Sequence, residues 1–139
     1  MRRLRPVLTR HTAVDRVNVE RLRANAIEAA EQCNLVGVPE VLEPRPLDDV
    51  LAAWEEGRRL VFCDEAAAEG PPLRVLSGLP PGPLALVVGP EGGFAPEERD
   101  RLLALPFVAP ISLGPRVMRA DTAAVAALAL IQATLGDWR

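Results

Sequence analysis

LALVVGPEGGFAPEERDRLLALPFVAPISLGPRVMR, residues Leu84 to Arg119, contains two apolar runs that each end in a glycine-bearing loop. Leu84, Ala85, Leu86, Val87 and Val88 form a run of strand length without polar alternation, which predicts a strand buried on both faces of a parallel sheet. Gly89-Pro90-Glu91-Gly92-Gly93 then breaks it, and so many glycines in so short a loop let the backbone turn sharply and let another group approach. The arrangement repeats downstream: Pro110-Ile111-Ser112-Leu113 predicts a strand, Gly114-Pro115 its break, and Arg116-Val117-Met118-Arg119 a loop with two guanidinium groups that leads into a helix. Either loop alone reads as a tight turn. Together, at the carboxyl ends of strands in an α/β alternation, they belong on one sheet edge, where open α/β folds bind ligands.

Between the two loops, Ala95-Pro96-Glu97-Glu98 starts a helix expected to run to about Leu105, ahead of Pro106, with proline near its first position and acids in its first turn. Those acids occupy the positive end that a phosphate would need. A nucleoside triphosphate or a dinucleotide is therefore disfavoured, and no GxGxxG fingerprint is present. The final helix is expected from Ala123 to about Leu135, with Asp121 or Thr122 as N-cap and Gly136 as its stop.

Upstream, Val7 to Thr9 predicts a short strand. Asn18 predicts the N-cap of a helix to about Cys33, with Val19, Leu22, Ala26, Ala29, Ala30 and Cys33 on one face. Glu28, Glu31 and Gln32 on the other face read either as solvated or as facing a partner. Val38 to Leu42 reads as a strand, Pro44 to Pro46 as a rigid loop, and Leu47 to Glu56 as a short amphipathic helix stopped by Gly57. Leu60 to Cys63 is a further buried strand. Asp64 and Glu65 follow it onto the same edge as the glycine loops and are open to two readings, hydrogen-bonding a ligand amine or ribose, or solvated loop acids. The Gly- and Pro-rich stretch from Glu69 to Pro83 is expected to be irregular.

The chain has 139 residues, enough for one domain with a real core. Its hydrophobic content is 49% with only 4% aromatic residues, so that core is aliphatic. The 16 positive residues are all arginine, which removes a P-loop lysine, a Schiff base and a lysine general base at once. Met1 to Asn25 carries seven arginines against Asp15 and Glu20 in a chain of net charge -3, a basic end that could touch RNA phosphates or simply be solvated. Cys33 and Cys63 are far apart and His11 is the single histidine, so a metal site or a Cys-His nucleophile has little support. Reduced thiols, no apolar leader and no membrane-length apolar run suggest a cytoplasmic protein without a membrane span.

The pair GPEGGF (Gly89 to Phe94) and LGPRVMRADTA (Leu113 to Ala123) resembles the two signature motifs of the RsmE family of SPOUT-class methyltransferases, which methylate N3 of a uridine in 16S ribosomal RNA. The resemblance extends to IEAAEQC (Ile27 to Cys33) and VPEV (Val38 to Val41). It implies an α/β fold with a mostly parallel sheet, helices on both faces and a C-terminal trefoil knot, forming one SPOUT domain over residues 1–139. It implies S-adenosylmethionine as cofactor, held by Val88, Gly89, Pro90, Glu91, Gly92, Gly93, Leu113, Gly114, Arg116, Val117 and Met118. Arg116 and then Arg119 are the candidates for stabilising charge on the uracil, and Glu91 for taking the proton or touching the cofactor; Arg119 could equally pair with Asp121 or Glu91. The implied partners are 16S rRNA and a second copy of the chain. Relatives carry an arginine soon after the EQ pair, where Asn34 to Gly37 stand here, so an RNA contact made through it is expected to be lost. They also carry an RNA-binding PUA-like domain ahead of this segment, so the chain is expected to be a fragment truncated at its N-terminus, to have its start placed too late, or to be a reduced relative. Two other readings remain: a non-catalytic dimerising module of the same fold, and an unrelated α/β nucleotide-binding enzyme that would take ATP or NAD.

Overall fold

The computed structural model describes residues 1–14, 16–67 and 70–138. Its chain contacts separate two compact units, Met1–Trp54 and Glu55–Arg139. In the first unit β1 (Arg3–Leu4) pairs in parallel with β3 (Glu40–Val41), and β2 (Val7–Leu8) with β4 (Arg45–Pro46). Helix α1 (Val19–Gln32) begins where expected, because the Asn18 side chain accepts a 2.9 Å hydrogen bond from the Arg21 N–H. Ala30 is its buried residue and Val19, Leu22 and Ala26 are half-buried, whereas Ala29 and Cys33 turn outward beside the solvated Glu28, Glu31 and Gln32. Asn34 then adopts φ 51, the left-handed conformation that ends helices. The stretch expected as a rigid loop supplies β4, since Pro46 at a strand end needs no N–H partner. Helix α2 (Leu47–Ala52) follows directly, burying Leu47 and Leu51, and stops before Gly57 is reached.

The second unit carries a three-stranded parallel sheet in the order β6 (Leu84–Val87), β5 (Arg59–Cys63), β7 (Val108–Ile111). Its helices are α3 (Pro72–Ser77), α4 (Pro96–Leu103) and α5 (Ala120–Thr134). Three consecutive residues of β5, Leu60, Val61 and Phe62, are all buried, and successive side chains point to opposite faces, so the middle strand is covered on both. Val61 packs with Leu76 of α3, Ile111 of β7 and Ala127 of α5. Phe62 meets Phe94 edge-on at 5.2 Å between ring centroids.

Several boundaries differ from expectation for identifiable reasons. Strand β7 lies two residues earlier than Pro110–Leu113. Leu60 N–H donates to Phe107 C=O and Asp64 N–H to Ile111 C=O, so the odd-numbered residues of β7 face β5 and the missing N–H of Pro110 points away from the ladder. Val88 leaves β6 for the loop. Pro72 at the first turn starts α3 inside the stretch expected to be irregular. Helix α5 starts three residues before Ala123, with Arg119 rather than Asp121 or Thr122 as N-cap. Asp121 instead accepts from the N–H and hydroxyl of Thr122. Among the described residues no helix is long and apolar enough to cross a membrane.

Helix α4 is capped from one side only. Glu98, buried to 8% exposure, accepts a 3.0 Å hydrogen bond from the Ala95 N–H, but Ala95 at the N-cap has no oxygen to return the bond. Ala95→Ser completes the pair of bonds and is expected to stabilise the protein by about 0.5–1 kcal/mol, whereas Glu98→Ala, which orphans a buried N–H, costs about 1–3 kcal/mol. Thermal melting of the two variants beside the parent checks both signs.

Candidate functional site

The parallel register places the carboxyl ends of the three strands side by side, with Phe62 opposite Val87 and Cys63 opposite Ile111. The loops after β5, β6 and β7 therefore leave from one edge, and they enclose a cleft of about 380 Å³. That volume falls in the range of about 300–1,000 Å³ usual for small-molecule sites.

Of the residues expected at a ligand, Val88, Gly89, Pro90 and Gly93 line the cleft from the β6 loop. Leu113, Gly114, Arg116, Val117 and Met118 line it from the β7 loop. Glu91, Gly92 and Arg119 are not in the lining. The Gly93 N–H donates to Pro90 C=O at 2.8 Å and closes a turn whose middle residues, Glu91 and Gly92, are its exposed tip. Arg119 is exposed at the start of α5, where its C=O accepts from the Ala123 N–H. Among the described residues Arg119 forms no ion pair with Asp121 or Glu91, and Arg116 none with any acid.

The glycines have separate causes. A Cβ on Gly89 would lie 2.8 Å from the Phe94 ring, so that glycine makes room for packing inside the protein. Gly93 and Gly114 hold φ of 66 and 106, conformations that L side chains avoid. Nothing stands within 4 Å of a Cβ placed on Gly114, so a side chain there would project into open space at a residue that lines the cleft.

The loop after β5 contributes what motif reading left open. Asp64 is 4% exposed and takes both prongs of Arg99 from α4, with Nε at 3.0 Å and Nη2 at 2.9 Å. Hydrogen bonding to Asp64 raises the Arg99 pKa further above its ordinary value. Of the two acids, Glu65 is the exposed one, and it lines the cleft. The spacing of Asp64 from Arg99 along the chain gave no signal for their pairing. Ser112 is buried and its hydroxyl accepts from the Gly114 N–H at 3.3 Å, bracing the second glycine loop. Cys63 also lines the cleft, and burial pushes its thiol up to about 11.

The family model for the RNA methyltransferase domain matches residues 1–132. The chain is 33% identical to the ribosomal RNA small subunit methyltransferase E of Rickettsia conorii over 91% of its own length and 52% of the relative's. It is 34% identical to the enzyme of the same name from Mycobacterium tuberculosis, over 86% of this chain and 46% of that one. The chain thus spans about half the length of the curated relatives it matches. Among solved structures, a Legionella pneumophila methyltransferase in complex with S-adenosylmethionine is 32% identical with a TM-score of 0.79, covering 95% of this chain and 55% of that one. The ribosomal RNA small subunit methyltransferase E of Neisseria gonorrhoeae bound to S-adenosylmethionine is 26% identical with a TM-score of 0.84, covering 99% and 57%.

Thiol chemistry reports on this cleft directly. A thiol shifted to about 11 is almost wholly protonated near neutral pH, and only the thiolate attacks iodoacetamide. Alkylation followed by peptide mass spectrometry is expected to modify exposed Cys33 first. Cys63 should lag by about a hundredfold or more, its rate rising about tenfold per pH unit until the pH nears its pKa.

Proposed function

The chain belongs to the RNA methyltransferase domain family, and from that premise we propose that it lies on the RsmE branch and is a methyltransferase domain that transfers a methyl group from S-adenosylmethionine to N3 of a uridine in 16S ribosomal RNA. The observation that carries this reading is the cleft between the two glycine loops at the carboxyl edge of the sheet. The residues present suit that cofactor. Its phosphate-free, cationic or neutral character matches an edge whose helix N-terminus is already filled by Glu98, and the backbone of 88–90 and 113–118 lines the cleft where an adenine would be held. When bound, S-adenosylmethionine supplies an electrophilic methyl on a sulfonium that is already a good leaving group.

The chain's own task is to manage charge on the uracil. As N3 gives up its proton, negative charge grows on the imide oxygens, and a guanidinium fixed near them stabilises it without being able to act as a base. Arg116, at the cleft and free of acidic partners among the described residues, is assigned that role, with Arg119 behind it at the start of α5. Glu91, exposed on the turn tip outside the cleft lining, is kept as the candidate to accept the N3 proton or to touch the cofactor. The reading includes helices on both faces of the sheet, the trefoil knot, one methyltransferase domain formed by both units, a homodimer and a cytoplasmic site of action on the small ribosomal subunit. The family match across both units supports the domain assignment.

Calorimetric titration is the test. About one S-adenosylmethionine or S-adenosylhomocysteine should bind per chain, with no ATP binding, and Gly114→Val should abolish it by straining the backbone and filling the cleft. ATP binding in preference would replace the reading with that of an unrelated nucleotide enzyme, and a folded dimer that binds neither would make it a non-catalytic module. In methyl transfer to 16S rRNA, Arg116→Ala is expected to lower kcat by about 100- to 1,000-fold while leaving cofactor affinity within about threefold.

A further inference from the structure

The ion pair between Asp64 and Arg99 is built more elaborately than the joining of a helix to a strand requires. Asp64 Oδ1 also accepts the Ala66 N–H at 3.1 Å, and Arg99 Nη2 donates to the Ala66 C=O at 3.3 Å. Both backbone polar groups of one loop residue are thus held by the pair. The neighbour it fixes is Glu65, which lines the cleft and reaches toward the glycine loop after β6: a Cβ on Gly93 would lie 2.6 Å from its Oε1. The pair itself stands between the cleft and a second cavity of about 230 Å³, lining both, and the far walls of that cavity include the apolar Val75, Leu103 and Pro110.

Resting on the cofactor reading above, we propose that Asp64 and Arg99 form a positioning clamp, which fixes the cleft wall that carries Glu65 and so sets the affinity of the cleft for its cofactor. An ion pair whose work is only to hold a fold together can be exchanged for neutral groups of similar shape at little cost. A clamp cannot, because a loop displaced by even about 1 Å loses its aim.

The double variant Asp64→Asn with Arg99→Gln removes both charges together and leaves no buried charge unpaired. It is expected to melt within a few degrees of the parent, yet to bind S-adenosylhomocysteine about tenfold or more weakly by calorimetry, with the KM for RNA unchanged. Arg99→Lys keeps the charge but not the two-pronged geometry and should show the same split; it decides the matter if the neutral pair melts early. Full cofactor affinity in the folded neutral pair, or in Arg99→Lys, overturns the clamp alone. A folded parent that binds no S-adenosylhomocysteine overturns the cofactor reading and the clamp with it.

Discussion

The burial of β5 on both faces is the constraint from which the rest of the carboxyl-terminal unit follows. Val61 and Phe62 are adjacent, both essentially inaccessible, and point to opposite faces with different neighbours. A slip of one residue would drive the phenyl ring into the space that Leu76, Ile111 and Ala127 leave for a valine, so the register with β6 and β7 is tightly specified. Register in turn fixes where each strand stops. Because Phe62 lies opposite Val87 and Cys63 opposite Ile111, three loops emerge at one level and a cleft between them is unavoidable.

Much of this could be read from the chain. Apolar runs without alternation marked β5 and β6, and Asn18, Pro96 and the glycine loops marked element ends, because each is a local rule of backbone or burial chemistry. The failures are equally physical. Strand β7 begins before Pro110, which looks like a strand opener until the ladder shows that its nitrogen faces outward, and α3 lies in a proline-rich stretch because proline marks a helix start as well as a loop. Helix α5 begins early because Ala120 to Ala123 can extend a helix without the side-chain cap that Asp121 and Thr122 seemed to offer.

The site was legible in its glycine loops and obscure in its polar contacts. Motif spacing reached the cleft from two sides, since both glycine loops line it, but the third side, the loop after β5, depends on a pairing between residues remote in sequence. No periodicity brings Asp64 to Arg99; only the meeting of β5's end with α4 does. The same limit explains Glu91 and Gly92. A glycine-rich string says that the backbone turns, and only the Gly93-to-Pro90 hydrogen bond says which residues end up at the tip.

The charges around the cleft select among ligands by subtraction. Asp64 is matched by Arg99, and Glu98 accepts the Ala95 N–H at the start of α4, so neither offers a free charge to a ligand. What remains in the lining is the carboxylate of exposed Glu65 on one side and the guanidinium of Arg116 on the other. An oligophosphate would meet Glu65 and a filled helix terminus with a single arginine to offset them, whereas a ligand with a cationic end and neutral hydroxyls finds a complementary acid and keeps Arg116 available. In the proposed reaction the arginine is then left for an anion that forms only during methyl transfer. A guanidinium without an acidic partner among the described residues requires no bond to be broken before it meets such a charge, so the proposed role suits Arg116 better than an arginine already tied into the protein, as Arg99 is.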